Sequence, residues 1–408
     1  MSALAAVAAR GGMQFSIDPW DPSYGTSVTD DFKESTAKIE AGVEEAPSAW
    51  RPVPLPAARG RLVAAPEAVL FVDGVRREDA RGWIHDLAPA DTRATSAVPA
   101  VCASFASGVV CSCALGAHLL TARVERGLFT PARHAGDIAT QGGTYRFRPV
   151  TDDGPNGLNL AIQQAMTTLE ISTAAGARHG HATVPGADGR VWPGPDGGAG
   201  PAPDDSFADG PAWPSDTEAQ PAWGDPFAAG PTGPWPRQRL AEHPTDQPGD
   251  AAPDRSALLV VDGPLRGRTH MPRTLGFIKT HHSRYLEAPQ HEVVGRLEPG
   301  ERTPVFMMGT NWDRFTWYLR LPSRPGAPWA GVARVECPAS LPAADAIGLA
   351  DLSQVVLPRF ASHEFKDGRA PQNLYPIAGL ERALRRRLGD RQLMYRSLRR
   401  AAGPVRRN

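Results

Sequence analysis

The chain carries no excess of charge of either sign: 44 Lys and Arg balance 44 Asp and Glu over 408 residues. That balance removes any global argument for a nucleic-acid binder, while leaving room for a local basic patch. Cysteine is scarce. The four are Cys102, Cys111, Cys113 and Cys337. No second close Cys or His pair joins Cys111-Ser112-Cys113 to complete a zinc set, so all four read as reduced, mostly buried thiols of a cytoplasmic protein. Long apolar runs are missing too. Residues 3–9 are apolar but too short for a membrane span, and without a preceding basic segment they make a poor signal peptide. No other run is long enough to cross a bilayer, so no membrane association is expected.

Glycine and proline, at 41 each, are plentiful and unevenly spread. They crowd residues 176–256, together with Asp, Ala and the isolated Trp192, Trp213, Trp223 and Trp235. Such a composition cannot bury enough apolar area to offset its ordering entropy, which reads as a disordered insertion. Residues 1–60 read as a partly disordered N-terminal arm, with an aromatic turn from Asp18 to Gly25. That turn is either a partner-binding arm or a loop packed on the domain. The ordered domain is expected over 61–175 and 257–402.

Within it, one short phrase occurs twice. Val69-Leu70-Phe71-Val72-Asp73-Gly74 and Leu258-Leu259-Val260-Val261-Asp262-Gly263-Pro264 are both apolar runs that end in Asp-Gly. Each reads as a buried strand with a carboxylate at the rim of the core and a glycine that lets the backbone turn away. Two such strands side by side would hold two carboxylates together, which is unfavourable unless a cation sits between them. Asp-Gly is also simply a good turn dipeptide, so both readings stand at this point.

Residues 97–113 and 118–125 read as two further strands, making an antiparallel meander with the first. A helix follows, with Asn156 as N-cap and Leu158, Ile162, Ala165, Met166 and Leu169 at helical spacing. Glu170 lies at the edge of that stripe, and the helix is expected to stop near Gly176. After the second Asp-Gly strand come strands over 274–279, 314–321 and 331–336, a helix over 342–356 and a helical C-terminus from Leu380 to Arg400. The expected class is α/β with a mixed sheet: three antiparallel strands, a helix, then a parallel strand.

That order of elements and carboxylates matches the RNase H-like fold. Within that class the chain resembles the NurA nucleases. The matching pieces are Val72-Asp73-Gly74, Val261-Asp262-Gly263-Pro264-Leu265, Gly276-Phe277-Ile278-Lys279, Arg334-Val335-Glu336-Cys337-Pro338 and Tyr375-Pro376. The resemblance implies a manganese- or magnesium-dependent DNA nuclease, usually a homodimer. Such proteins work with a HerA-type hexameric ATPase in DNA end processing or phage defence. It implies Asp73, Glu170 and Asp262 as catalytic metal ligands, with Lys279 at the scissile phosphate. Glu170 is preferred to Glu125 on the third strand because this fold takes its second ligand from the helix. A last ligand is expected early in the C-terminal helix. Its place looks like Leu384, which cannot bind metal, and Glu381, one turn earlier, is the substitute.

Other residues carry two readings. Arg76 and Arg77 could touch DNA or sit in a solvated loop. His281 and His282 are adjacent in an extended stretch and so face opposite ways, which argues against one shared metal. Arg382, Arg385, Arg386, Arg387, Arg391, Arg396, Arg399 and Arg400 exceed what a helix dipole asks for and suggest a phosphate- or partner-contacting helix. Three functions follow: an active nuclease, a catalytically degenerate DNA-binding or scaffold subunit of the same complex, or an oligomerisation module in which both Asp-Gly pairs are only turns.

Overall fold

The computed structural model describes residues 19–87, 94–114, 116–151, 156–182, 256–265, 271–310, 312–323 and 327–402. In chain order the strands are β1 (Val28–Glu34), β2 (Lys38–Glu40), β3 (Ala68–Leu87), β4 (Ala94–Cys113), β5 (Gly116–Thr130), β6 (Ile138–Thr140) and β7 (Gly143–Pro149). Helix α1 (Gly157–Ala182) precedes β8 (Leu258–Asp262), β9 (Thr274–Ile278) and β10 (His281–Arg284). Then come α2 (Ala288–Gly295), β11 (Phe306–Gly309), β12 (Asp313–Arg320), β13 (Val332–Pro338), α3 (Ala343–Val356), α4 (Tyr375–Arg387) and α5 (Arg391–Ala401). The mixed α/β class expected from the sequence is what the chain adopts. Residues 183–255, most of the segment read as an insertion, lie outside the described residues, as do residues 1–18 of the N-terminal arm.

The chain divides into two compact units: the first takes in residues up to Ala65 and Gly263–Tyr375, the second Pro66 onward, Ser256–Asp262 and the C-terminal residues from Pro376. In the second unit the strands are ordered β8-β3-β4-β5-β7-β6. Strands β3, β4 and β5 are antiparallel, and β8 lies parallel to β3. This is the expected sequence of three antiparallel strands, a helix and a parallel strand.

The parallel strand β8 is buried along Leu258–Val261, which is why it reads as an unbroken apolar run rather than an alternating one. Helix α1 covers one face of the meander, placing Ile162 and Leu169 against Val101, Ala103, Phe105 and Phe129. Leu380, Leu384 and Leu388 close another cluster with Val75, Ala106 and Val110. Side chains of this size, fully buried, contribute about 1.5–3 kcal/mol each.

Two local expectations are corrected. The strand at Asp73-Gly74 does not turn: Asp73 pairs with Gly108, Gly74 with Ser107, and the ladder continues to Leu87. The sequence masks this because beyond Gly74 the strand carries Arg76, Arg77, Glu78 and Asp79 instead of an apolar run. Helix α1 does not stop at Gly176 but reaches Ala182. An exposed glycine lowers helix propensity by roughly 1 kcal/mol, too little to end a helix anchored by a buried face.

In the first unit the order is β2-β11-β12-β13-β9, with a separate parallel pair of β1 and β10. The fully buried Trp317 donates from Nε1 to Ser353 Oγ of α3 at 3.0 Å. Arg302, also fully buried, binds Glu44 twice at 2.7 Å and Asp351 at 2.7 Å. The aromatic turn is anchored at Trp20, which is buried and donates from Nε1 to Gln372 Oε1 at 3.0 Å, while Tyr24 is exposed.

Candidate metal centre

The site grows from the pairing of β3 with β8. Their parallel register runs Val69↔Leu258, Leu70↔Leu259, Phe71↔Val260 and Val72↔Val261, where the ladder ends. The next residues are Asp73 and Asp262. Register partners on parallel strands project to the same face, so the two carboxylates are neighbours at the end of the ladder. Asp73 is buried and Asp262 half-buried. Asp73 Oδ1 accepts from the Gly74 amide at 2.7 Å, and Ser107 Oγ donates to the Asp73 carbonyl at 3.1 Å.

The two glycines of the repeated phrase then do different things. Gly263 has φ +95°, a left-handed conformation that lets the chain leave β8 at once. Gly74 stays in the ladder, and its missing side chain makes room for a neighbour. A Cβ there would meet Glu170 Oε1 at 2.1 Å and Glu170 Cδ at 2.9 Å. The Glu170 carboxylate, carried by α1 and itself buried, is therefore seated against the backbone next to Asp73. Glu125, its rival, pairs with Arg148 at 2.8 Å instead.

Asp73 and Asp262 thus follow paired register positions of two parallel strands, while Glu170 lies on the side of β3 to which Gly74, not Asp73, points. Hard oxygen donors of this kind suit magnesium or manganese. The three do not make a closed set. Among the described residues, the three side chains whose potential ligand atoms all lie within 4.8 Å of one another are Cys111, Cys113 and His118.

Lys279 and Glu381 are placed differently. Lys279 belongs to the first unit and donates to Asn373 Oδ1 at 3.0 Å; Asn373 in turn donates to Asp367 at 2.8 Å. Glu381 lies on α4, where Arg385 binds it at 2.7 Å. Leu384 is fully buried in the cluster with Val75 and Val110, where it serves core packing.

Arg77 is largely buried and engaged within the chain. Its Nε pairs with the buried Asp79 at 2.7 Å, and its Nη1 donates to the Gly389 carbonyl at 2.7 Å. It thereby joins β3 to the carbonyl end of α4, a favourable place for a cation. Asp79 also accepts from Tyr145 Oη at 2.8 Å and from Ser104 Oγ. Arg76 donates to the Asn159 carbonyl at 3.4 Å. His281 is buried, within 3.0 Å of the Val332 carbonyl, while His282 is exposed. Burial pushes the His281 pKa down to about 3. The basic C-terminus does form a surface: on α5, Met394 and Leu398 face inward and Arg391, Arg396, Arg399 and Arg400 are exposed.

All four cysteines are free thiols, three of them buried. Burial, then the charge of Asp79, pushes the Cys102 thiol up to about 12. Burial and its neighbour Cys113 raise the Cys111 thiol as well. The sequence reading missed His118 as a companion of this pair. The signal was present: folding the two expected strands about residues 114–117 sets Cys111 opposite His118.

No family model matches the chain, and no curated protein matches it. Among solved structures, the crystal structure of the NurA nuclease from Sulfolobus solfataricus aligns with a TM-score of 0.36 and 10% identity, covering 83% of this chain and 84% of that one. A superposition of that quality does not by itself establish shared function.

Proposed function

We propose that the protein is a metal-dependent nuclease that hydrolyses phosphodiester bonds at DNA ends. The observation that carries this reading is the rim where Asp73 and Asp262 follow adjacent register positions of parallel strands and Glu170 is seated against Gly74. Asp73, Glu170 and Asp262 would hold manganese or magnesium, with Glu381 as a weaker last ligand. Bound there, such ions lower the pKa of an attacking water and stabilise the leaving oxygen. The residues' own work is to fix donors in advance: β3 would supply a carboxylate from within a continuous strand, β8 one from its end, and α1 the third. Lys279 is assigned to the scissile phosphate as a point charge. The exposed arginines of α5 supply sequence-independent contacts to the DNA backbone. A homodimer working with a HerA-type ATPase in end processing or phage defence completes the proposal, on the resemblance in sequence alone.

One observation favours the second reading, a DNA-binding or scaffold subunit that has lost hydrolysis. Leu384 is packed in the core where the family's last ligand is expected, and Glu381 is engaged by Arg385.

The deciding experiment is digestion of single- and double-stranded DNA ends across a manganese titration. The nuclease reading expects cleavage that needs high manganese and falls on the order of 10³-fold in Asp73→Ala, the scale of losing one preorganised charge stabiliser. Glu381→Ala should raise the manganese requirement further. DNA affinity should survive both changes and weaken steeply with salt. No cleavage at any manganese concentration, with DNA binding intact, selects the scaffold reading. Cleavage undiminished in Asp73→Ala removes this site from the chemistry.

A further inference from the structure

The β4–β5 hairpin brings together three side chains that the carboxylate rim does not use. Cys111 and Cys113 are two apart on β4, so they project to the same face. His118 is the antiparallel partner of Cys111 on β5, and Cys113 pairs with Gly116 beside the turn. Cross-strand partners share a face, and their Cβ atoms stand about 4.5–5.5 Å apart. Two thiols and one imidazole therefore point to one spot, with all three potential ligand atoms within 4.8 Å of one another.

We propose that this hairpin is a thiophilic metal site in which Cys111, Cys113 and His118 hold a zinc ion. A tetrahedral zinc centre with thiolate and imidazole ligands has ligand–ligand edges of about 3.5–3.8 Å. The side chains need only close by about 1 Å or less to reach them, which rotamer adjustment supplies without moving the ladder. The burial is graded in the way such a site needs. Cys111 is buried, Cys113 is half-buried and His118 is exposed. The solvent side is thus open for the ion to enter and for a water or a partner's side chain to complete the fourth position.

The donor set separates this site from Asp73, Glu170 and Asp262. Thiolate and imidazole select zinc, whereas carboxylates select manganese or magnesium. The hairpin would hold its ion independently of nuclease activity, at the turn of two long strands.

Cobalt(II) serves as the probe, because thiolate coordination gives it a charge-transfer absorption that zinc lacks. The full-length chain, kept reduced with a phosphine, is titrated with cobalt(II) and then with zinc. The expected result is a thiolate-to-cobalt band that saturates at one ion per chain and is abolished when zinc displaces the cobalt. Cys113→Ser should remove most of the band, and His118→Ala should weaken binding at least tenfold. Both positions lie outside the core, and circular dichroism checks that the variants fold. Asp73→Asn should leave the titration unchanged. Absence of a charge-transfer band in the wild-type chain overturns the proposal whatever the variants do. A band that persists undiminished in a folded Cys113→Ser, His118→Ala double variant overturns it as well.

Discussion

The two units treat buried charge in opposite ways. In the first, acid is met by base. Arg302 lies between Glu44 and Asp351, Asp351 is also bound by Arg59 and Arg61, and Arg314 binds Glu336 at 3.1 Å. In the second, Asp79 is neutralised in the same manner by Arg77, while Asp73 and Asp262 follow paired register positions of parallel strands and Glu170 lies against Gly74. Interleaving opposite charges in a core holds elements in place. Gathering like charges at a strand end stores a preference for a cation. The contrast separates carboxylates that hold the fold from those proposed above as metal ligands.

Removing the central cation of the first unit is the most severe way to probe that contrast. Arg302→Ala takes the cation from half-buried Glu44 and leaves buried Asp351 to Arg59 and Arg61, and should cost about 3–5 kcal/mol in urea unfolding. A loss below about 1 kcal/mol would place the network with solvent-screened surface pairs. At the rim the corresponding change is Gly74→Ala. The added methyl occupies the place of Glu170 Oε1, so the helix carboxylate must move. Manganese affinity or cleavage should fall by about 10–100-fold, the usual effect of disturbing what positions a ligand, while the urea midpoint shifts little. A variant that cleaves normally would show that Glu170 has no part in the site.

The smallest effect concerns a buried imidazole that burial keeps neutral. His281 has its pKa lowered to about 3, chiefly by burial. Between that value and the ordinary 6.5 the unfolded chain binds a proton that the folded chain does not. The stability it contributes is complete above about pH 6.5 and declines as pH falls towards 3. Between pH 7 and pH 5.5 the loss should be on the order of 1 kcal/mol. His281→Gln should flatten that part of the pH profile, measured by urea midpoints. An unchanged slope would mean that the ring titrates in the folded state as it does in the unfolded one.

Much of the second unit was legible in the sequence because its apolar patterns are strong. The β8 run, the stripe from Leu158 to Leu169 and the Val69–Val72 core all report burial directly. What escaped depended on partners distant in sequence. Gly74 reads as a turn residue until Glu170 is seen against it. Arg77 reads as a solvated loop until the carbonyl end of α4 arrives. Leu384 looks like a missing ligand, yet its position belongs to the cluster around Val75 and Val110. His118 looks unrelated to Cys111 until the hairpin folds. In each case local propensity was outweighed by a contact that only the three-dimensional arrangement supplies.

The pairing of β3 with β8 also bears on the order of assembly. Val69 and Leu258 are register partners separated by 189 positions, from 258 − 69, whereas β4 and β5 pair across a tight turn between Cys113 and Gly116. Closing the longer loop costs more chain entropy and is slower to find than zipping a hairpin. Asp262 would therefore join Asp73 late, after the meander has formed, so the negatively charged rim is completed only on a finished scaffold. Pulse-labelled hydrogen exchange during refolding should show β4 and β5 amides protected before those of β8; simultaneous protection would mean that the strand ends meet in the nucleus itself.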